Sequence, residues 1–226
     1  MAPRKNPIII LAGASASGKT TVAHEILHTD PTFELVRSVT TREKRADSFG
    51  SEYIYIDKAE FDRLVATGGV LEHTEYAGNF YGTPRSEIDR IHSEGKKPLL
   101  ILDMNGVRSI VTGVPDISTC AVYLHADINL MEERLYARYI GDAPTADGLA
   151  RFVSRKEQNI ADYIEFGDMS QYFFTVVEND ADLATVADRV TAVFDSFVDG
   201  CARDTAALTS AADAIVASAR AKTEPQ

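Results

Sequence analysis

Cysteine is scarce in this chain. Its 226 residues include two, Cys120 and Cys201, far apart and with neither metal-ligand nor redox spacing, and none of the five histidines falls into ligand spacing. That pattern excludes a cysteine-built metal or redox site, leaves neither thiol as a catalytic candidate, and points to a reducing, cytoplasmic compartment. Positive charge is also in deficit: 23 Lys and Arg stand against 34 Asp and Glu, a formal net charge of −11. Nucleic-acid and membrane-surface binders favour basic patches, so neither partner is expected, and any anion site must be built locally. Long apolar runs are missing too. The N-terminal "IIILA" is too brief to span a membrane and suits a buried strand better than a signal peptide. There is no internal repeat. What the chain does have is apolar material, 45% of residues, ample for one large domain or a core with subdomains.

The order of patterns along the chain predicts an α/β fold. "PIIILAG" ends in a glycine-rich turn, and "GKTTVAHEILH" then places Val22, Ile26 and Leu27 on one side of a helix. "FELVRSV" reads as a second strand and "YIYID" as a half-buried one, with Asp57 and Glu60 forming a capping box for a short helix. "KPLLILD", "STCAVYLHA" and "YFFTVVEND" read as buried strands of parallel type, each followed by a helical pattern. Residues 39–95 form a small mixed insert. The Ala-rich stretch from 199 to 226 reads as an extra helix, packed on the body or on a partner, with a frayed end.

Residues 13–20, "GASASGKT", match G-x-x-x-x-G-K-[ST] between a predicted strand and a predicted helix, the context this phosphate-binding loop requires. Gly13 and Gly18 let the backbone turn its N–H groups toward phosphate oxygens, with Ala14, Ser15, Ala16 and Ser17 between them and Thr21 just beyond. Lys19 is placed to reach the β/γ-phosphates of ATP, and Thr20 to bind Mg²⁺. Hydrolases, switches and kinases share such a loop, so it does not name the second substrate.

Two further stretches do so by resemblance. "SVTTREKR" and "LEHTEYAGNFYGTP", in that order after the loop, strongly resemble the guanylate kinase family, and the resemblance runs from about residue 7 to 195. It implies a P-loop NTPase-type parallel sheet with flanking helices. The core would comprise 1–38, 96–138 and 156–198, with a mixed α/β GMP-binding insert at 39–95 and a helical lid at 139–155. It implies that Arg42, Arg45, Tyr53 and Tyr81 hold the GMP phosphate, while Ser38, Glu72 and Thr83 face guanine. The chemistry agrees: guanine offers N1–H and N2–H₂ beside the O6 acceptor, so a carboxylate can accept from both donors and a hydroxyl can complete the edge. On this reading Gly78 and Gly82 allow close approach to a flat base and a tight turn around Tyr81.

In "MEERLYARY" and "RFVSR", Arg134 and Arg138, and Arg151 and Arg155, each stand at i,i+4 spacing around a breaker-rich segment that resembles the family's lid. Arg138 and Arg155 are assigned to the transferred phosphoryl group, with Lys19 and Arg42 as the other catalytic residues, while Arg134 and Asn179 are assigned to the adenine side. The chain also departs from the family. Ala14 and Ala16 replace a proline and a glycine, the segment before Tyr53 is shorter, the lid is longer, and Tyr139 follows Arg138 where glycine is usual. Ile101 replaces an acid, which leaves Asp103 either to organise water around Mg²⁺ or to hold the arginine and guanine contacts. The expected activity is transfer of the γ-phosphoryl of Mg·ATP to GMP or dGMP by a monomer or homodimer. Two alternatives are a catalytically inactive phosphopeptide-binding module, disfavoured by the intact loop and lid arginines, and a kinase for another small phosphorylated acceptor, disfavoured by Ser38 and Glu72.

Overall fold

A computed structural model describes residues 4–43, 53–76, 78–141 and 144–223. The chain runs through β1 (Pro7–Ala12), α1 (Lys19–Thr29), β2 (Phe33–Leu35), β3 (Ser38–Thr40), β4 (Tyr53–Tyr55), α2 (Lys58–Ala66), β5 (Val70–Tyr76), β6 (Asn79–Pro84) and α3 (Arg85–Ser93). It continues through β7 (Lys97–Ile101), α4 (Met104–Gly113), β8 (Ser118–His125), α5 (Ile128–Tyr139), α6 (Ala146–Met169), β9 (Thr175–Glu178), α7 (Leu183–Val198) and α8 (Thr205–Ala221).

Five strands form a sheet in the order β2-β7-β1-β8-β9, with every neighbouring pair parallel. Side chains alternate across a strand, so Ile8, Ile10, Ala121 and Tyr123 enter one core under α4, α6 and α8, while Ile9, Leu11, Cys120 and Val122 enter the other under α1 and α7. From central β1 the chain passes first to β2 and β7 on one side, then to β8 and β9 on the other. The crevice of an open α/β sheet lies where the order reverses, beyond the C-terminal end of β1, and this is where the phosphate loop begins. Acidic residues start the helices: Asp57, Asp103, Asp127, Asp182 and Asp204 each accept a backbone N–H in the first turn of the helix that follows. Among the described residues no helix is long and apolar enough to cross a membrane.

A second sheet, in the order β4-β3-β6-β5, is mixed: β3 and β4 run parallel, while β6 is antiparallel to β3 and β5. "FELVRSV" is therefore not one strand. It divides into β2 and β3, which belong to different sheets, and the division falls at Val36 and Arg37. Arg37 is turned aside by Glu87 of α3, with Nε to Oε2 at 2.8 Å and Nη2 to Oε1 at 2.9 Å. Glu87 is 5% exposed and also accepts from Arg90, which in turn holds Glu34 at 2.5 Å. α3 falls inside the stretch read as the insert, yet it buries Ile88 and Ile91 in the core beside Ile8 and Ile10.

The Ala-rich tail packs on the body. α8 buries Leu208, Ala212, Ile215 and Ala219, a single helical stripe, and its approach to α6 is so close that a Cβ at Gly167 would lie 2.6 Å from Val216 Cγ2. Lys222, just past α8, reaches Asn129 Oδ1 at 2.6 Å.

Removing Glu87 leaves two guanidinium groups without their shared partner. Glu87→Ala is expected to lower stability by about 2 kcal/mol in urea unfolding, below the about 3–5 kcal/mol of a fully buried broken pair because Arg37 is half-exposed. Hydrogen bonding to Arg37 depresses the Glu87 carboxyl from 4.5 to about 2, so its contribution is present above 4.5 and is lost as pH falls toward about 2. The difference between parent and variant should shrink over that interval.

Candidate active site

The loop between β1 and α1 is shaped by positions that accept no side chain. A Cβ at Gly13 (φ +146°) would lie 2.3 Å from the Leu124 carbonyl oxygen, and one at Gly18 (φ +99°) would lie 2.4 Å from Asn179 Nδ2. Ala16 also has positive φ, +66°, which costs a non-glycine residue roughly 1–2 kcal/mol. What holds the loop is a set of side-chain donors. Lys19 Nζ donates to the carbonyls of Gly13 (2.8 Å) and Ala14 (2.9 Å), Asn159 Nδ2 to Ser15 (2.9 Å), Arg134 Nη1 to Ala16 (3.1 Å) and Asn179 Nδ2 to Ser17 (2.8 Å). Five consecutive carbonyls are thereby fixed. In a planar trans peptide the N–H points opposite to the carbonyl, so the Ser15 and Ser17 bonds aim the N–H groups of Ala16 and Gly18 the other way. There they join the N–H groups of Lys19 and Thr20, which have no intrahelical acceptor in the first turn of α1. Ser15, Ala16, Lys19, Thr20, Thr21, Arg134, Arg138 and Asn179 line one cavity.

Burial pulls the Lys19 ammonium down to about 8, Arg138 adds to the fall and Asp162 opposes it. Asp162, on α6, accepts from Gln158 Nε2 at 2.8 Å; burial raises its carboxyl, and the nearby Lys19 and Arg155 oppose that rise.

The second cluster follows from strand register. Val39 pairs with Gly82, and Gly82 with His73, so one step along the strands Ser38, Thr83 and Glu72 lie side by side. Thr83 Oγ1 donates to Glu72 Oε1 at 2.6 Å. Two residues further, on the same face, Thr40 pairs with both Tyr55 and Tyr81, while Ser38 pairs with Tyr53. The Arg42 guanidinium carbon lies 5.1 Å from the Tyr53 ring centre, and Nη2 makes a long 3.5 Å contact with the Tyr55 hydroxyl. Its Nε is buried and has no partner among the described residues. Burial raises the Glu72 carboxyl and Asp103 raises it further, against the Thr83 hydrogen bond.

Most of the residues singled out in the sequence gather in these two clusters, with three qualifications. Arg45 lies outside the described residues. Arg151 forms an exposed ion pair with Asp147 at 3.0 Å, although with Arg155 it lines a second cavity beside Tyr139. One oxygen of Asp103 caps α4 through the Gly106 N–H at 2.8 Å. The glycine reading needs correction. Gly82 is buried where β6 approaches β5 at an irregular register, and a Cβ there would lie 3.1 Å from the Glu72 carbonyl, so the missing side chain eases the approach of the strands. Gly78, at φ +74°, makes the turn between β5 and β6. Sequence reasoning missed Tyr55, Asn159 and Asp162. The alternation of "YIYID" puts Tyr55 on the face of Tyr53 and could have found it; the other two carry no local signal.

Mg²⁺ takes few protein ligands and keeps several waters. The exposed Thr20 hydroxyl in the loop cavity suits such a site, and among the described residues no group of three or more His, Cys, Asp or Glu forms a dedicated cage.

The guanylate kinase family model matches residues 4–195. The chain belongs to the guanylate kinase family. It is 32% identical over 194 residues to a guanylate kinase of Streptococcus thermophilus, covering 84% of this chain and 86% of that one. A 44% identical match to a guanylate kinase of Thermobifida fusca spans 110 residues, 48% of this chain and 56% of that protein. The crystal structure of a guanylate kinase from Anaplasma phagocytophilum shares the fold, with a TM-score of 0.60 over 90% of this chain and 92% of that one at 23% identity. The family match ends before α8.

The Lys19 ammonium is charged below its pKa and neutral above it. Affinity for MgADP, measured by calorimetry, is expected to fall as pH rises through about 8, and Lys19→Ala should lack that step.

Proposed function

We propose that this guanylate kinase family member transfers the γ-phosphoryl of Mg·ATP to GMP or dGMP, giving ADP and GDP or dGDP. One observation carries the reading: Ser38, Thr83 and Glu72 form a row on the same sheet face as a tyrosine cluster that holds Arg42. With one Glu72 oxygen accepting from Thr83, the other oxygen and the remaining lone pairs are left to accept from two adjacent donors such as those on the guanine edge. Adenine would set an acceptor against this half-buried carboxylate, a mismatch worth at least about 1–3 kcal/mol.

Arg42, with phenols around it, receives the acceptor phosphate. That phosphate is largely dianionic near neutrality, its second pKa being about 6, so the attacking oxygen needs no general base. It bonds to the γ-phosphorus as the bond to the ADP oxygen breaks, and the protein's part is alignment and charge neutralisation. Lys19 spends two of its three N–H bonds on Gly13 and Ala14 and has the third for phosphate. Arg138, in the loop cavity, and Arg155, beside Asp162, take the charge on the moving group. Thr20 would hold Mg²⁺, which neutralises charge on the β- and γ-phosphates when bound. A phosphopeptide-binding module would leave Lys19 and these arginines without a task. The free thiols Cys120 and Cys201 suit a reducing, cytoplasmic setting.

The test is ADP release from Mg·ATP with GMP, dGMP, AMP, UMP and CMP as acceptors. Turnover is expected with GMP and dGMP, to be lost in Lys19→Ala. Glu72→Gln should lower kcat/KM for GMP by roughly 100-fold, about 2.7 kcal/mol, and narrow the preference over AMP. Because its pKa is raised, Glu72 protonates at higher pH than an ordinary carboxylate, and KM for GMP should climb correspondingly early on acidification. Absence of turnover with every acceptor, in protein that binds GMP, would remove the kinase reading.

A further inference from the structure

We infer that Asn159 is a positioning residue that fastens the phosphate loop to the lid-bearing helix and sets the loop for the donor nucleotide; this rests on the reading that Mg·ATP is the donor. Asn159 is 3% exposed, and its amide makes two bonds to one residue: Oδ1 accepts from the Ser15 N–H and Nδ2 donates to the Ser15 carbonyl, both at 2.9 Å. A two-point contact fixes both peptides flanking Ser15 as a strand partner would. The second of these peptides carries the Ala16 N–H, and Ala16 is the residue held at φ +66° without a glycine to ease it. Nothing in the packing of α6 calls for a polar group here. The helix is already anchored by Tyr163, Phe166 and Met169 in the core, and a buried amide costs stability unless it is fully bonded. Loop geometry accounts for both of its bonds.

The contact also ties two working parts together. α6 is continuous from Ala146 to Met169, so it runs through the boundary between lid and core read from the sequence. Arg155 stands one turn before Asn159 and Asp162 nearly one turn after, on the same side of the helix. Fixing Ser15 against Asn159 therefore sets the spacing between the loop N–H groups and Arg155.

The test compares Asn159→Ala and Asn159→Leu with the parent, reading MgADP affinity by calorimetry and the separate KM values for Mg·ATP and GMP. Leucine keeps the volume and helical preference of the site while removing both hydrogen bonds, so folding is retained if alanine proves too disruptive. MgADP affinity and KM for Mg·ATP are expected to worsen by at least about tenfold, the equivalent of one well-made hydrogen bond, with KM for GMP changed less than roughly twofold. Asn159→Asp adds a readout that a packing role would not move. Its carboxyl can donate to the Ser15 carbonyl only when protonated, so its deficit relative to the parent should narrow on acidification. MgADP affinity in the leucine variant within about twofold of the parent, or an equal loss of MgADP and GMP affinity, overturns the inference. A parent that fails to turn over Mg·ATP with GMP defeats the donor reading instead, an outcome seen without any variant.

Discussion

The orientation of a few peptide groups between Gly13 and Gly18 is the constraint on which the rest of the molecule depends. A backbone N–H can face a phosphate only if the carbonyl of the same peptide faces elsewhere and finds a donor there. Those donors come from different parts of the chain: Lys19 from α1, Arg134 from α5, Asn159 from α6 and Asn179 from the end of β9. The Leu124 carbonyl of β8 closes the back of the loop against Gly13. Only a sheet with β1 at its centre and β8 beside it brings all of these to one point. The parallel order is thus part of the site's chemistry, because it delivers remote donors to five adjacent carbonyls.

The same arrangement explains how a chain of net charge −11 can handle polyanions. Part of its acidity stands at helix starts, where Asp57, Asp103, Asp127, Asp182 and Asp204 each answer a backbone N–H and the positive end of a helix dipole. Around the loop the balance is different: Lys19, Arg134 and Arg138 share one cavity. Lys19 is buried enough to lose basicity, and a cation held in low dielectric acts on a phosphate far more strongly than one in water. Asp162 then has a definite electrostatic effect. It favours the charged form of Lys19 and opposes the repulsion between Lys19 and Arg138. Local potential, not net charge, decides which ligand is welcome.

Sequence alone made the loop legible because its signal is contiguous: two glycines, a lysine and a threonine at fixed spacing between a strand and a helix. The proposed acceptor face was named through resemblance, and the pairing of strands explains why Ser38, Glu72 and Thr83, scattered over dozens of positions, lie in one row. What stayed hidden depends on partners remote in sequence. The break between β2 and β3 carries no glycine or proline; it is made by Glu87, fifty residues away from Arg37. Asn159 looks like any polar residue in a helix until Ser15, 144 residues earlier, is seen against it. Gly82 was read as making room for a ligand when it makes room for a strand, because composition does not reveal which surface a missing side chain exposes.

The position of the Arg37–Glu87 pair bears on how the acceptor is recognised. Arg37 immediately precedes Ser38, and Glu87 follows Thr83 by four residues, so the clamp sits at the root of β3 and β6, the strands that carry Ser38 and Thr83. α3 continues from β6 without a loop and buries Ile88 and Ile91 in the core, which ties the base end of the acceptor face rigidly to the sheet that carries the phosphate loop. Arg42, Tyr55 and Tyr81 lie toward the other end of β3 and β4, farther from that anchor, while Tyr53 stands beside Ser38. Under the proposed function, base discrimination would rest on preformed geometry, with Glu72 already bonded to Thr83, whereas alignment of the two phosphates would rest on side chains reaching in from α5 and α6. The two tasks are mechanically separate. A change at the lid helices should act on the rate of transfer before it acts on which base is chosen.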